Sequence, residues 1–433
     1  VKRVSDDLSI VFFSEYRYNG SVLSKRFNED NMNTTILDDI QQTAYLYFRK
    51  YTNLNPDSKG FGLVLDHSEK QHVASIAGTG FYLSSLVIGV EHGWISKGDA
   101  LQEAMKTVQM LKTLPHAFGF FAHFLEFETG NRHGKTEYST IDTALCLCGL
   151  LTVDSYFQDA LLGRETSFLM NRLEWDKLIF EREGKTLIHM AYNPDKDGAY
   201  VEKKPGFIHQ WDMFAEQLMM YVMVAGQQHP DAMKLYEGFE RVSGSYQGIE
   251  YIYSPGNALF VYQFPLAWLN LKGIHDHQGI SWFENAKKAT LAHQAFAIEH
   301  NNFKTFSKAL FGCSASDTPN GYRVWGAYPN NDHRLNTDGT VAPFSMIGSL
   351  PMCPDVVTGS IDAMTKIEGL WGPCGFYDAF NFEGEKPWIS KRYYAINKGL
   401  ELLMTNAYLF EDVYKAFMNH PIIKTGLEVL KWQ

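Results

Sequence analysis

The sequence predicts an all-helical protein in which one ring of helices lies inside another, a toroid, preceded by a short β-hairpin-like segment. Three observations carry that reading. From Leu37 onward, apolar residues recur at helical spacing in segments of about 12 to 20 residues, too long for ordinary strands. Some segments are apolar nearly all round: Met213 to Val224 carries only Glu216 and Gln217 as strongly polar groups, and such a helix is buried on more than one face. The connectors 113–138, 242–261, 311–339 and 371–390 exceed ordinary helix–helix loops and concentrate aromatic and acidic residues. Functional loops on a layered ring account for them better than an irregular bundle does.

Taken in order, residues 1–35 stand apart as an N-terminal extension. Ile10 to Tyr18 is β-branched and aromatic, Asn19-Gly20 follows, and Ser21-Val22-Leu23 resumes, which is a hairpin signal. Residues 36–433 form the main domain, with helices expected near 36–50, 75–92, 97–113, 139–159, 209–226, 262–272, 279–300, 339–350, 354–369, 391–405 and 407–419. Between them lie His123-Phe124-Leu125-Glu126-Phe127-Glu128, Tyr251-Ile252-Tyr253, Tyr322-Arg323-Val324-Trp325 and the segment Trp371 to Phe380.

Composition narrows the function. A chain of 433 residues, 45% hydrophobic and 20% charged, buries a large core, which excludes disorder and a disulfide scaffold. The net charge of −10 makes nucleic acid and anionic membrane poor partners. The longest apolar run, Leu218 to Ala225, falls short of the roughly 20 residues that span a bilayer. The chain opens on Val1-Lys2-Arg3; a signal peptide or lipid anchor removed from before it implies a periplasmic or secreted protein, and otherwise a cytoplasmic one. Five cysteines without paired Cys-x-x-Cys spacing read as small buried hydrophobes. Gly78-Thr79-Gly80 lacks the third glycine of a phosphate loop, and neither His-Glu-x-x-His nor Gly-x-Ser-x-Gly occurs. A nucleotide, a catalytic zinc and an acyl-transfer serine are therefore disfavoured; His275 and His277 are a weak metal signal, and neither metal nor organic cofactor is expected.

What remains is carboxylates and aromatics, the latter 14% of the chain. Glycosidic bond cleavage needs one carboxylic acid to protonate the leaving oxygen and one carboxylate to activate water or attack, with flat rings packing on sugar. Asp142 opens a helix after a long loop, where Ser139-x-x-Asp142 also reads as a capping box. Glu137 precedes it and reads equally as a surface charge. Glu216, placed in a helix, has Asp212, Met213, Met219, Met220 and Met223 on its face; a carboxylate there is buried or lines a cavity, and burial raises its pKa toward that of a general acid. Asp317, Asp332, Asp338 and Asp378 read first as turn and cap residues.

The segments Ser75 to Phe81, Ile88 to Ile95, Gly119 to Phe124 and Glu137 to Leu145 resemble, in order and spacing, the glucoamylase-like family of (α/α)6 toroids that includes the β-1,2-glucanases of glycoside hydrolase family 144. Tyr262-Gln263, Phe283-Glu284-Asn285, Ser314 to Tyr322, Asp338 to Pro343, Ser349-Leu350-Pro351 and Trp371 to Asn381 continue the similarity over roughly residues 36–420. The resemblance implies six inner and six outer helices, an acidic cleft where the inner helices begin, and hydrolysis of a β-glucan, with inversion and without a cofactor. It places Asp142 and Glu216 in that cleft, with Glu137 a third candidate acid. Substrate contacts are then expected from His123, Trp211, Tyr262, Gln263, Asp317, Tyr322, Arg323, Trp325, Trp371 and Tyr377. Two segments depart from the family. Where relatives commonly read His-Ala-Trp-Ile-Asp-Phe-Arg-Gly, this chain has Leu266-Ala267-Trp268-Leu269-Asn270-Leu271-Lys272-Gly273, and an Ile-Asp-Gln-Gly pattern has become Ile396-Asn397-Lys398-Gly399. The alternatives are a transglycosylating or altered-linkage relative, or a catalytically silent glycan-binding module.

Overall fold

The computed structural model describes residues 29–196, 199–201 and 204–433. The hairpin signal at 10–23 lies outside the described residues. Most of the expected helices form: Ile76–Glu91, Lys97–Thr113, Thr140–Phe157, Trp282–Glu299, Pro354–Thr365, Ala395–Leu409 and Asp412–Asn419. The helix expected at 36–50 runs from Glu29 to Tyr51. Their starts follow local chemistry. Ser96, Ser139 and Ser281 each accept a hydrogen bond from the amide three residues on, at Asp99, Asp142 and Glu284, so a side-chain oxygen satisfies an otherwise orphaned first-turn donor.

The helices Ile76–Glu91 and Thr140–Phe157 are buried along nearly their whole length and pack directly on each other. Glycine makes that possible. A Cβ on Gly80 would lie 2.1 Å from the Leu145 carbonyl oxygen, and one on Gly149 would lie 2.0 Å from that of Gly80, so the backbones touch without side chains between them. Thr140–Phe157 is also long and apolar enough to cross a membrane by length and composition, but 72% of it is buried inside the protein, as befits a core helix. The five cysteines are free and buried.

The expectation of an all-helical chain needs correction: the protein is mostly helical, with short antiparallel strands throughout. The largest sheet pairs Lys185–Tyr192 with Phe207–Gln210 on one side and Tyr138–Ser139 on the other, and Ile179–Arg182 also pairs with Lys185–Tyr192. The long connectors are largely hairpins, such as Ser243–Tyr246 with Ile249–Ile252. Both Glu183-Gly184 and Gln247-Gly248 have positive φ at each residue, the two-residue turn that matches strand twist. These pairs were visible in the sequence but carry no Asn-Gly signature.

Three expected helices are cut short. Segment 209–226 is helical only over Leu218–Gly226, because Phe207–Gln210 is drawn into the sheet. Segment 262–272 reduces to the turns Phe260–Gln263 and Pro265–Ala267, where Pro265 lacks the amide that would continue the helix. Segment 339–350 forms only Pro343–Ile347. The helices Ala160–Asn171, Ala232–Gly238 and Pro421–Val429 were not anticipated.

Candidate active site

A cavity of about 500 Å³ opens where several helices begin. Asp142 lies in the first turn of Thr140–Phe157, Glu216 just before Leu218–Gly226, Phe260 at the start of its short helix, and Tyr394, Ile396 and Asn397 at the start of Ala395–Leu409. Unpaired amides and the positive helix ends favour carboxylates there.

Asp142 caps its helix and lines the cavity as well. Its Oδ2 accepts the Ser139 hydroxyl at 2.6 Å while its amide donates to Ser139 Oγ, completing a cap. Its Oδ1 faces the imidazole of His123, 3.6 Å from Nε2. The other nitrogen of that ring, Nδ1, lies 2.8 Å from Glu137 Oε1, so His123 is held between two carboxylates. Burial works against its charge, but Asp142, then Glu137 and Asp66, outweigh this and raise its pKa to about 9. The hydrogen bond from His123 in turn lowers Glu137 to about 2. Glu137 is therefore ionised and engaged by the imidazole.

The sign of the linkage gives a test. Because the folded pKa of His123 is raised, its stabilisation is complete below about 6.5 and is lost as pH rises through about 9. His123→Ala is expected to cost about 2 kcal/mol of unfolding free energy at pH 6, with the difference from wild type closing by pH 10. Urea midpoints across that range measure it; a gap that does not change with pH would refute the charged pairing.

Glu216 lies on the cavity wall, though not for the helical reason. It sits in a bend between Phe207–Gln210 and Leu218–Gly226, so Asp212 and Met213 do not share a helix face with it. Fully buried Gln217 builds the bend, accepting from the Ala215 amide at 2.7 Å and donating to the Met213 carbonyl at 2.9 Å. Burial raises the Glu216 pKa to about 7; its own amide opposes this and the charge of Asp142 reinforces it. Near neutrality it carries a proton to donate.

The cavity is also lined by Asp66, His67 and Tyr394, which sequence reasoning missed, and by Asn397. Asn397 donates to Asp378 Oδ1 at 2.7 Å, and burial raises buried Asp378 to about 7. Asp66 closes the apolar run Leu63-Val64-Leu65; an acid ending a buried run was the signal available for it.

Of the expected sugar contacts, His123 and Tyr322 line the cavity. The others do not. Trp211 is buried and donates from Nε1 to Thr140 Oγ1 at 3.1 Å, anchoring the helix that carries Asp142. Tyr262 donates to Asn257 Oδ1 at 2.5 Å, and Gln263 donates to the Ser345 carbonyl and Ser349; both are buried in the core. Asp317 lies behind the wall, accepting from Tyr394 at 3.0 Å and from Ser390 at 2.7 Å, and pairing with Arg392 at 3.2 Å. Arg323 is exposed and Trp325 half-buried beside it. Trp371 is exposed, its ring edge-on to Phe376, and Tyr377 stacks on Tyr393 at 4.8 Å. Leu266, Asn270 and Lys272 are also away from the lining. Among the described residues, no three His, Cys, Asp or Glu side chains gather as metal ligands.

Comparison with known proteins meets the resemblance seen in the sequence. Residues 208–421 match the glycoamylase family model, described as "Putative glucoamylase". The whole chain aligns at 22% identity with the exo β-1,2-glucooligosaccharide sophorohydrolase (non-reducing end) of Parabacteroides distasonis, and spans 64% of that relative's length. In structure it is similar to the endo-β-1,2-glucanase of Chitinophaga pinensis, solved as a complex with sophorotriose and glucose. The TM-score is 0.80 at 22% identity, over 93% of this chain and 98% of that one. A β-1,2-glucanase from Parabacteroides distasonis gives a TM-score of 0.77 at 21% identity, over 92% of this chain and 60% of the other. The mostly helical fold is thus that of the glucoamylase-like structures.

Proposed function

We propose that this protein is a glycoside hydrolase that cleaves a β-glucan, β-1,2-linked, by acid/base catalysis with inversion, on an (α/α)6 double ring whose inner helices begin at the cavity. One observation carries the proposal: Glu216, which burial keeps protonated to about pH 7, shares a single cavity with the carboxyl groups of Asp66 and Asp142. A protonated carboxyl group with a second carboxyl group across the same space is the arrangement that glycosidic cleavage requires. Phe124, Phe260, Phe264, Tyr322 and Tyr394 supply apolar faces for sugar rings in the same space. The likeness to β-1,2-glucan hydrolases supports the linkage.

In this reading Glu216 protonates the glycosidic oxygen as it leaves, and a carboxylate across the cavity takes a proton from the attacking water. Water needs room between sugar and base, so the working carboxyls stand roughly 6.5–9.5 Å apart, or further with a relay through a sugar hydroxyl. The test is a screen of β-1,2-, β-1,3-, β-1,4- and β-1,6-linked glucans and oligosaccharides, with proton NMR in the first minutes of reaction. Cleavage of the β-1,2 set with an initial α-anomer is expected. Cleavage of another linkage alone refutes the substrate, and an initial β signal refutes inversion.

A further inference from the structure

We infer that Asp66, not Asp142, is the base that takes the proton of the attacking water, an inference that rests on the glycosidase reading above. Three carboxyl groups line the cavity: Asp66, Asp142 and Glu216. Glu216 is the proton donor, which leaves two candidates for the base.

Their surroundings differ. Both oxygens of Asp142 are committed, Oδ2 to the Ser139 hydroxyl at 2.6 Å and Oδ1 toward the His123 cation at 3.6 Å. Both contacts hold the Asp142 carboxylate in place and turn each of its oxygens toward a protein partner. Among the described residues the Asp66 carboxylate accepts no hydrogen bond and forms no ion pair, while the residue itself lines the cavity. Its backbone is nevertheless fixed: its amide donates to the Val73 carbonyl at 2.9 Å, and its carbonyl accepts the Ala395 amide at 2.9 Å, at the start of the helix that carries Asn397. A free carboxylate on a rigid mount is the geometry a general base needs. Burial raises Asp66 to about 6, with His123 and Lys70 pulling downward and Asp142 pushing upward, so it is ionised at neutral pH yet more basic than an exposed aspartate.

The step balances without further reactants. As the water oxygen bonds to the anomeric carbon, one water proton passes to Asp66. The bond from that carbon to the glycosidic oxygen breaks with its electron pair on oxygen, which takes the proton of Glu216. Asp66 then releases its proton to solvent, and Glu216 regains one. Asp142 acts indirectly: it holds His123 and adds the negative charge that keeps Glu216 protonated.

The experiment compares wild type, Asp66→Asn, Asp66→Ala, Asp142→Asn and Glu216→Gln on β-1,2-gluco-oligosaccharides, with and without sodium azide, after melting curves show each variant folded. Asp66→Asn and Asp66→Ala are expected to lose at least about a hundredfold in kcat. Azide should restore turnover in these two alone and yield an α-glycosyl azide, because the small anion attacks from the position of the lost water. Three outcomes overturn the inference: kcat of Asp66→Asn within tenfold of wild type, rescue of Asp142→Asn in place of the Asp66 variants, or a loss in both Asp66 variants that azide leaves unchanged, which assigns a positioning role. If wild type cleaves none of the oligosaccharides, the glycosidase reading falls and this inference with it; the three outcomes above count against Asp66 alone.

Discussion

Glu216→Gln is expected to lower kcat by at least about a hundredfold, the usual cost of losing a general acid, while making the protein more stable at alkaline pH. The second effect reports the burial of the Glu216 carboxyl group. The folded-state pKa of Glu216 is raised to about 7 by burial, above its value in the unfolded chain. Its contribution to stability is therefore complete below about pH 4.5 and is lost as pH rises through about 7, where the folded protein must hold a buried charge. Glutamine never ionises, so the variant should exceed wild type by up to about 3 kcal/mol above pH 8 and approach it at pH 4.5. In parallel, wild-type kcat/KM should decline above about pH 7, and the residual activity of Glu216→Gln should lack that decline. Near-normal turnover in the variant would remove Glu216 from the mechanism, and equal stability at pH 8 would show that its carboxylate is solvated.

Gly80→Ala is expected to destabilise the protein by about 3 kcal/mol or more, because the added methyl meets backbone and not a side chain that can turn away. Its Cβ would lie 2.1 Å from the Leu145 carbonyl oxygen and 2.7 Å from Cys146 Cα, so the two central helices must separate. One of them carries Asp142, so activity of the folded fraction should fall as well. Gly359, exposed on Pro354–Thr365, meets nothing within 4 Å, and Gly359→Ala should instead add about 0.5–1 kcal/mol through helix propensity. Denaturant midpoints of the two variants should move in opposite directions. Equal shifts would show that the helix contact is looser than this packing implies.

The legible parts of the fold were those written in local pattern. Helical spacing located Lys97–Thr113, Thr140–Phe157 and Trp282–Glu299 to within a few residues, the second of them with its serine cap. All-round apolarity marked Met213 to Val224 as buried, although only the part from Leu218 is helical. The sequence reading failed where a segment's partner is distant. Nothing local in 207–217 says that Phe207–Gln210 pairs with Lys185–Tyr192, and the apolar run after it looked like one long helix. Tyr262 and Gln263 looked like sugar contacts because polar aromatics and amides suit sugars; they turned out to satisfy buried polar partners, a demand that single-residue chemistry cannot distinguish.

By itself the sequence determined the chemistry available: carboxylates and aromatics in a chain dominated by helices, with Asp142 at a helix start, whereas the helix in which it placed Glu216 begins only at Leu218. Residue type and short-range periodicity fix these, since caps and helix faces are set within a few positions. Only the tertiary structure decided which carboxyl groups meet and in what protonation state. Asp66, His123, Asp142, Glu216 and Asn397 come from separate parts of the chain and converge on one cavity. Their proton affinities depend on burial and on one another's charge, and desolvation and Coulomb energy act through space without regard to sequence separation.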